Sequence, residues 1–117
     1  MADSPESSEA EIAAEAVTGR PDRPDGVYAT VDTLAESLLE SATASGLKVP
    51  GDMLIATCSD GHIARSTTPK LTTIDEKPME LAQAAVTMLV GTILEPDSGG
   101  QSVQVDTELL LRASTGN

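Results

Sequence analysis

The chain has 117 residues, a net charge of −12 and only seven basic side chains, which argues against nucleic-acid binding because phosphate contacts need clustered Lys and Arg. A single cysteine excludes an internal disulfide, and no apolar run is long enough to cross a bilayer. The apolar fraction is 39% with one aromatic residue, Tyr28, so any core must be aliphatic. Aliphatic cores favour α/β layers in which helices cover the strands.

The first half of the chain predicts a βαβ unit. A polar, disordered lead over residues 1–8 precedes a weakly amphipathic helix that is capped by Ser7 or Ser8 and ends near Val17. Residues 27–31 form a short apolar strand, Asp32 then caps a helix that ends at Gly46, and residues 53–57 form a second apolar strand. This order predicts parallel strands joined by a crossover helix.

The second half of the chain begins with a loop over residues 58–70, which show no periodicity. At its start, Cys58 is predicted to be a small buried side chain and not a nucleophile. Residues 71–74 are predicted as a third strand, and Pro78 opens a long helix that ends near Ile93. Residues 102–105 alternate as a strand, and residues 109–111 are a final extended segment.

Short motifs in a fixed order carry a resemblance to a known family. They are Pro24-Asp25-Gly26, Val31-Asp32, Ser45-Gly46-Leu47, Val49-Pro50-Gly51-Asp52, Ser59-Asp60, Thr67-Thr68-Pro69-Lys70-Leu71-Thr72-Thr73 and Thr107-Glu108-Leu109 followed by Arg112 and Ser114-Thr115. Such a series at this spacing is hard to obtain by chance. Over roughly residues 9–115 the chain resembles the C-terminal part of LacI/GalR-type transcription regulators.

This resemblance implies a type I periplasmic-binding-protein fold, with two Rossmann-like α/β lobes and a ligand cleft between them. Residues 9–117 would be the C-terminal portion of the effector-binding and dimerisation domain, without a DNA-binding head. The strand from Leu71 would cross a hinge, and the helix from Pro78 would cover the N-terminal lobe. The chain would hold pieces of both lobes, so we expect it to be marginally stable, to self-associate or to rearrange its sheet.

The resemblance also implies effector contacts at Val31, Asp32, Ser59 and Asp60, at the carboxyl ends of two strands. The family commonly has Asn at the position of Val31 and Asp at that of Ser59. Both differences remove capacity for binding sugar hydroxyls, so we expect a less hydroxylated effector, or none. The residues alone favour a helix cap for Asp32 and a turn for Asp60.

A homodimer is a further implication, with Leu34, Leu38, His62 and Ile63 at its interface. Operator DNA would be bound only through the missing head, and we expect a cytoplasmic protein without membrane contact. No cofactor, metal or catalytic activity is expected. His62 has no second ligand at metal spacing, and the sequence has neither a nucleophile elbow nor a glycine-rich phosphate loop.

Two alternatives remain open at this stage. A solute-binding protein of a sugar transport system shares the fold, although the acidic start and the tail over residues 109–115 favour a regulator. A truncated scaffold or interaction protein would bind no ligand.

Overall fold

The computed structural model describes residues 5–117, and its helices and strands confirm the predicted α/β class. The elements follow in the order α1 (Pro5–Thr18), β1 (Gly26–Ala29), α2 (Asp32–Ala44), β2 (Leu54–Cys58), α3 (His62–Ser66), β3 (Thr72–Asp75), α4 (Pro78–Leu94), β4 (Glu108–Leu110) and a 3₁₀ turn (Ala113–Thr115).

One sheet joins the strands in the order β1-β2-β3-β4. β1 pairs with β2, and β2 with β3, in parallel, which confirms the predicted βαβ unit with α2 as its crossover. β4 pairs antiparallel with β3, and Asp75 lies opposite Glu108. The chain therefore leaves the sheet at the end of β3 and returns beside the same strand.

The core lies between the sheet and the helices α1 and α2. Alternate residues of the strands, such as Ala29 in β1 and Ile55 in β2, point toward these helices and are almost fully buried. Small residues, Ala14 in α1 and Ala35 in α2, allow close packing. The buried cluster consists of Ala14, Ala29, Ala35, Leu38, Leu39, Met53, Ile55, Ala64 and Leu71. Burial of each large aliphatic side chain stabilises the fold by about 1.5–3 kcal/mol.

The opposite face of the sheet is uncovered, as the resemblance implies for an incomplete fold. Tyr28, Leu54 and Leu109 lie on β1, β2 and β4 and are 52%, 41% and 61% exposed.

α4 stands apart from this core. None of its residues is buried, and it makes no substantial packing contact with the other described helices and strands. The radius of gyration is 18.5 Å, against about 13 Å for a compact chain of this length. None of the helices within residues 5–117 is long and apolar enough to cross a membrane.

Three predictions of where helices and strands lie are corrected, and a predicted helix cap is corrected after them. The strand predicted at residues 102–105 is wrong, because this segment has no neighbouring strand with which to pair. α3 forms inside the predicted loop, because the burial of Ala64 in the core stabilises a helix too short to show periodicity. α1 begins at Pro5, within the predicted disordered lead, while residues 1–4 and much of that prediction lie outside the described residues.

Asp32 is not the cap of α2. Val31 occupies the cap position in an extended conformation, and its carbonyl accepts a hydrogen bond from the Ala35 amide at 3.2 Å. Asp32 is instead the first helical residue, where its negative charge is favourable at the positive end of the helix dipole.

Candidate effector-binding site

The predicted ligand residues lie beyond the carboxyl ends of β1 and β2. Because these strands are parallel neighbours, Val31 and Asp32 follow one strand end while Ser59 and Asp60 follow the adjacent end. This edge is where open α/β sheets bind ligands. Val31 is 52% exposed and offers an apolar surface there.

Ser59 is held in a left-handed conformation with φ of 78°. This conformation is strained for a residue other than glycine, at a cost of about 1 kcal/mol. Two hydrogen bonds to β3 hold it. The Ser59 amide donates to the Ile74 carbonyl at 2.9 Å, and Thr73 Oγ1 donates to the Ser59 carbonyl at 2.9 Å. The backbone of this predicted ligand residue is thereby fixed to β3.

Asp60 is tied to the end of the chain. Its Oδ1 accepts a hydrogen bond from Arg112 Nη2 at 2.6 Å, and both side chains are only 18% exposed. The same guanidinium donates through Nη1 to the Leu71 carbonyl at 3.1 Å. The ion pair favours a structural role for Asp60, as its turn position suggested. The sequence analysis identified Arg112 as part of a family motif but did not predict its ion pair with Asp60.

Asp32 lies against the start of α3. A methyl group placed on Gly61 would lie 3.5 Å from Asp32 Oδ2, so the carboxylate is close to the loop that follows β2. Asp32 and the segment from Ser59 to Gly61 therefore border the same edge of the sheet.

Ser114 fastens the C-terminal segment to the sheet. Its buried hydroxyl accepts a hydrogen bond from the Thr72 amide at 2.8 Å and donates to the Ile55 carbonyl at 2.5 Å. Beside it, Thr115 Oγ1 lies 2.5 Å from Thr72 Oγ1. The hydroxyl thus bridges β2 and β3, a role that the sequence did not predict.

Lys77 joins the points where the chain leaves and re-enters the sheet. Its Nζ lies 2.7 Å from Glu108 Oε2 and 3.7 Å from Asp75 Oδ2. The hydrogen bond to Glu108 raises the pKa of Lys77. Lys77 has a left-handed backbone, and its amide donates to Asp75 Oδ1 at 2.9 Å.

Cys58, at the end of β2, is half-buried, less than predicted. Its thiol donates a hydrogen bond to Glu76 Oε1. This bond and partial burial raise the pKa of Cys58, while a hydrogen bond with Cys58 raises the pKa of Tyr28. A protonated thiol is a poor nucleophile and a poor metal ligand. No group of three His, Cys, Asp or Glu suited to a metal ion occurs within residues 5–117.

The predicted interface residues differ in accessibility. Leu38 is 2% exposed and belongs to the core, so it is unavailable to a partner. Leu34 and Ile63 pack partly against the core, and His62 is exposed. Next to them is a groove of about 470 Å³ between α2 and the segment after α3. The groove is lined by Glu36, Leu39, Glu40, Thr43, Ala44, Ser66, Thr67 and Thr68.

Comparison with known proteins supports the resemblance. The family model for the periplasmic binding protein-like domain matches residues 1–115. The transcriptional repressor PurR of Haemophilus influenzae is 33% identical over 94 residues, which cover 78% of this chain and 28% of PurR. NtdR of Bacillus subtilis, a regulator of the NTD biosynthesis operon, is 32% identical over 99 residues, covering 80% of this chain and 29% of NtdR.

Solved structures agree with this result. A putative LacI-family regulator from Sanguibacter keddieii has a TM-score of 0.85 and 33% identity, over 95% of this chain and 43% of that chain. The 117 residues therefore span less than a third of the curated relatives and less than half of this solved chain.

Proposed function

Because the chain belongs to the periplasmic binding protein-like domain family, we propose that it is the effector-binding and dimerisation portion of a LacI-type transcriptional regulator. The observation that carries this proposal is the edge of the sheet at the carboxyl ends of β1 and β2. Asp32 follows the end of β1 there, and Ser59 and Asp60 follow the end of β2. The names of the relatives, which are regulators, support it. The proposal includes no catalytic activity.

The effector would contact Val31, Asp32 and Ser59. Asp60 would act mainly by holding the loop in place, since its carboxylate is paired with Arg112. Apart from the Asp32 carboxylate, these contacts offer only one hydroxyl at Ser59 and an apolar side chain at Val31, so the edge has few acceptors for sugar hydroxyls. We therefore infer a small effector with fewer hydroxyl groups than a sugar.

Ser59 also supplies a route from the effector to the rest of the protein. Its two backbone hydrogen bonds to Thr73 and Ile74 join the binding edge to β3, which leads directly to Lys77 and α4. A ligand that binds one arrangement of these segments more tightly than another would shift the equilibrium between them.

Dimerisation would use the surface formed by α2 and α3, with Leu34, His62 and Ile63 at its border. Paired subunits suit two-fold symmetric operators. DNA contact would be made by residues outside this acidic chain, in the cytoplasm.

A titration followed by NMR tests the effector site. Cellobiose serves as a probe rich in hydroxyls, and adenine as a planar probe without them. We expect adenine to shift the amide signals of Val31, Asp32 and Ser59 at lower concentration than cellobiose does. Adenine shifts confined to residues remote from this edge, or no shifts at millimolar adenine, would overturn the proposal.

Ser59→Asp sharpens the test. Asp tolerates a left-handed backbone and offers two acceptors, so we expect it to strengthen cellobiose binding by about tenfold, as one added charged hydrogen bond allows. The matched control is Ser66→Asp, which adds the same charge on α3 away from the edge. An equal gain in both variants would contradict a binding edge at Ser59.

A further inference from the structure

The segment that leaves β3 is bonded to both neighbouring strands, since β3 lies between β2 and β4 in the sheet. Glu76 Oε1 accepts a hydrogen bond from the thiol of Cys58, at the end of β2. Lys77 Nζ donates to Glu108 Oε2, on β4, at 2.7 Å. Two consecutive side chains of residues 75–77, which we call the exit segment, therefore reach opposite sides of β3.

The backbone of the exit segment is strained. Lys77 has φ of 54° and ψ of 55°, a left-handed conformation that residues with a side chain seldom adopt. Its amide donates to Asp75 Oδ1 at 2.9 Å, and its carbonyl accepts a hydrogen bond from the Leu81 amide at 2.9 Å. Because a strained conformation persists only where surrounding contacts hold it, the bonds of this segment fix the turn from strand to helix.

Lys77 is the only basic residue between Lys70 and Arg112. Asp75 and Glu108 lie opposite each other across β3 and β4, and Lys77 Nζ is 3.7 Å and 2.7 Å from their carboxylates. The side chain of Lys77 is 29% exposed, so water screens these attractions only in part. Without its ammonium group, the two opposed carboxylates would repel each other and push the strands apart.

The direction of α4 depends on this exit. α4 makes no substantial packing contact with the helices and strands of the core, so its connections at the two ends set its direction. The connection at its C-terminal end runs through residues 95–107, which form neither helix nor strand. The exit segment is shorter and is bonded on both sides, and it therefore restrains the helix more strongly.

We propose that Glu76 and Lys77 form a two-sided clamp that fixes the direction in which α4 leaves the sheet. The bond to Cys58 holds the exit segment toward β2, and the bond to Glu108 holds it toward β4. One bond limits movement in a single direction, and the pair limits it in both. The clamp requires no effector, and only its link to Ser59, which directly follows Cys58, rests on the proposed function.

Amide hydrogen exchange followed by NMR tests the arm of the clamp that reaches β4. Lys77→Met removes the charge and keeps most of the side-chain length. We expect the amides between β3 and β4 to exchange about threefold faster, as the loss of a partly exposed ion pair allows. The amides between β1 and β2 should keep their rates, because only local opening is favoured. No acceleration, or equal acceleration at both strand pairs, would overturn the proposal.

Two variants serve as matched controls for this measurement. Lys48→Met makes the same change of charge at an exposed lysine in the turn before β2, and we expect every rate to be unchanged. Lys77→Arg keeps the positive charge, and we expect it to keep the protection between β3 and β4. If either control accelerates exchange there as much as Lys77→Met does, the pairing of Lys77 with Glu108 is not the cause and the clamp is refuted.

Residual dipolar couplings test the direction of α4 and need no added label. In the wild-type chain we expect the couplings of α4 and α2 to fit one common alignment. In the double variant Glu76→Ala/Lys77→Met we expect the couplings of α4 to shrink while those of α2 persist, with a smaller loss in each single variant. A wild-type α4 that does not share the alignment of α2, or a double variant that retains its couplings in full, would overturn the proposal.

Discussion

Arg112 is the only partner of the Asp60 carboxylate among the hydrogen bonds of residues 5–117, and both groups are largely shielded from water. Arg112→Met removes the charge but keeps most of the side-chain length. We expect the free energy of unfolding to fall by about 2 kcal/mol, because a partly buried carboxylate loses its charged donor. Urea denaturation at fixed protein concentration measures this change.

Arg20→Met is the control for this substitution. Arg20 pairs with Asp22 at the surface, where both side chains are mostly exposed, and we expect a loss below about 0.5 kcal/mol. Equal losses in the two variants would mean that the Asp60 pair contributes no more than an exposed ion pair.

The thiol of Cys58 provides a second test at the scale of single residues. Glu76→Gln removes the carboxylate that raises the pKa of Cys58, so we expect this pKa to fall toward its ordinary value. At pH 8.5 the larger thiolate fraction should speed the reaction with a disulfide reagent. The chain has one cysteine, so the absorbance of the released thiol reports this site alone.

Glu80→Gln removes a carboxylate from α4 instead and is expected to leave the rate of the thiol reaction unchanged.

The raised pKa of Cys58 also makes the stability of the fold depend on pH. Because the pKa of Cys58 is higher in the folded state than in the unfolded state, the stabilisation is present below the unfolded-state pKa of about 8.5. It is lost as the pH rises through the folded-state pKa.

At the scale of elements, α1 is attached to α2 by close packing. Ala14 is fully buried, and Thr18 Oγ1 lies 2.6 Å from Ser41 Oγ. Ala14→Leu adds bulk where the helices meet, and we expect a loss of about 1–3 kcal/mol in the free energy of unfolding from overpacking. Thermal unfolding followed by circular dichroism measures it.

Ala16→Leu makes the same change on an exposed position of α1. We expect it to be almost neutral, since leucine and alanine are both good helix formers. Destabilisation by Ala16→Leu to the same degree would assign the effect to the helix itself and not to its packing on α2.

The elements differ in how far the sequence predicts them. β1, α2, β2 and α4 have strong local patterns and occur within a few residues of their predicted bounds. α3 depends on the burial of Ala64 in the core, and such contacts leave no periodic signal. Residues 102–105 have the alternation of a strand but no partner strand, and pairing is a property of the fold that no local pattern contains.

The same distinction applies to the candidate site. The ligand positions at the strand ends were predicted through family motifs, and they remain predictions. Neither the pairing of Asp60 with Arg112 nor the bridge made by Ser114 was predicted, because the partners are 52 residues apart in one case and 42 and 59 in the other. Only the folded sheet brings these groups together.

At the scale of the whole molecule, the chain combines an elongated shape, 59 Å in its longest dimension, with a net charge of −12. Like charges on two copies oppose association through any surface, and dissolved salt screens this repulsion. We therefore expect the dimer dissociation constant to fall severalfold when NaCl is raised from about 20 to about 500 mM. Sedimentation equilibrium at both salt concentrations measures it, and a rise would indicate that ion pairs hold the dimer.

The antiparallel pairing of β3 with β4 has a consequence for modularity. Asp75 and Glu108 are direct neighbours across the two strands, so the segment over residues 76–107 begins and ends at one place on the sheet. A tight hairpin turn is sufficient to connect such neighbours. The segment over residues 76–107 is therefore an insertion that could be deleted without breaking the sheet. A shortened chain in which a tight turn joins β3 directly to β4 would keep all the strand pairs of the sheet. The same position would accept a foreign domain whose termini lie close together.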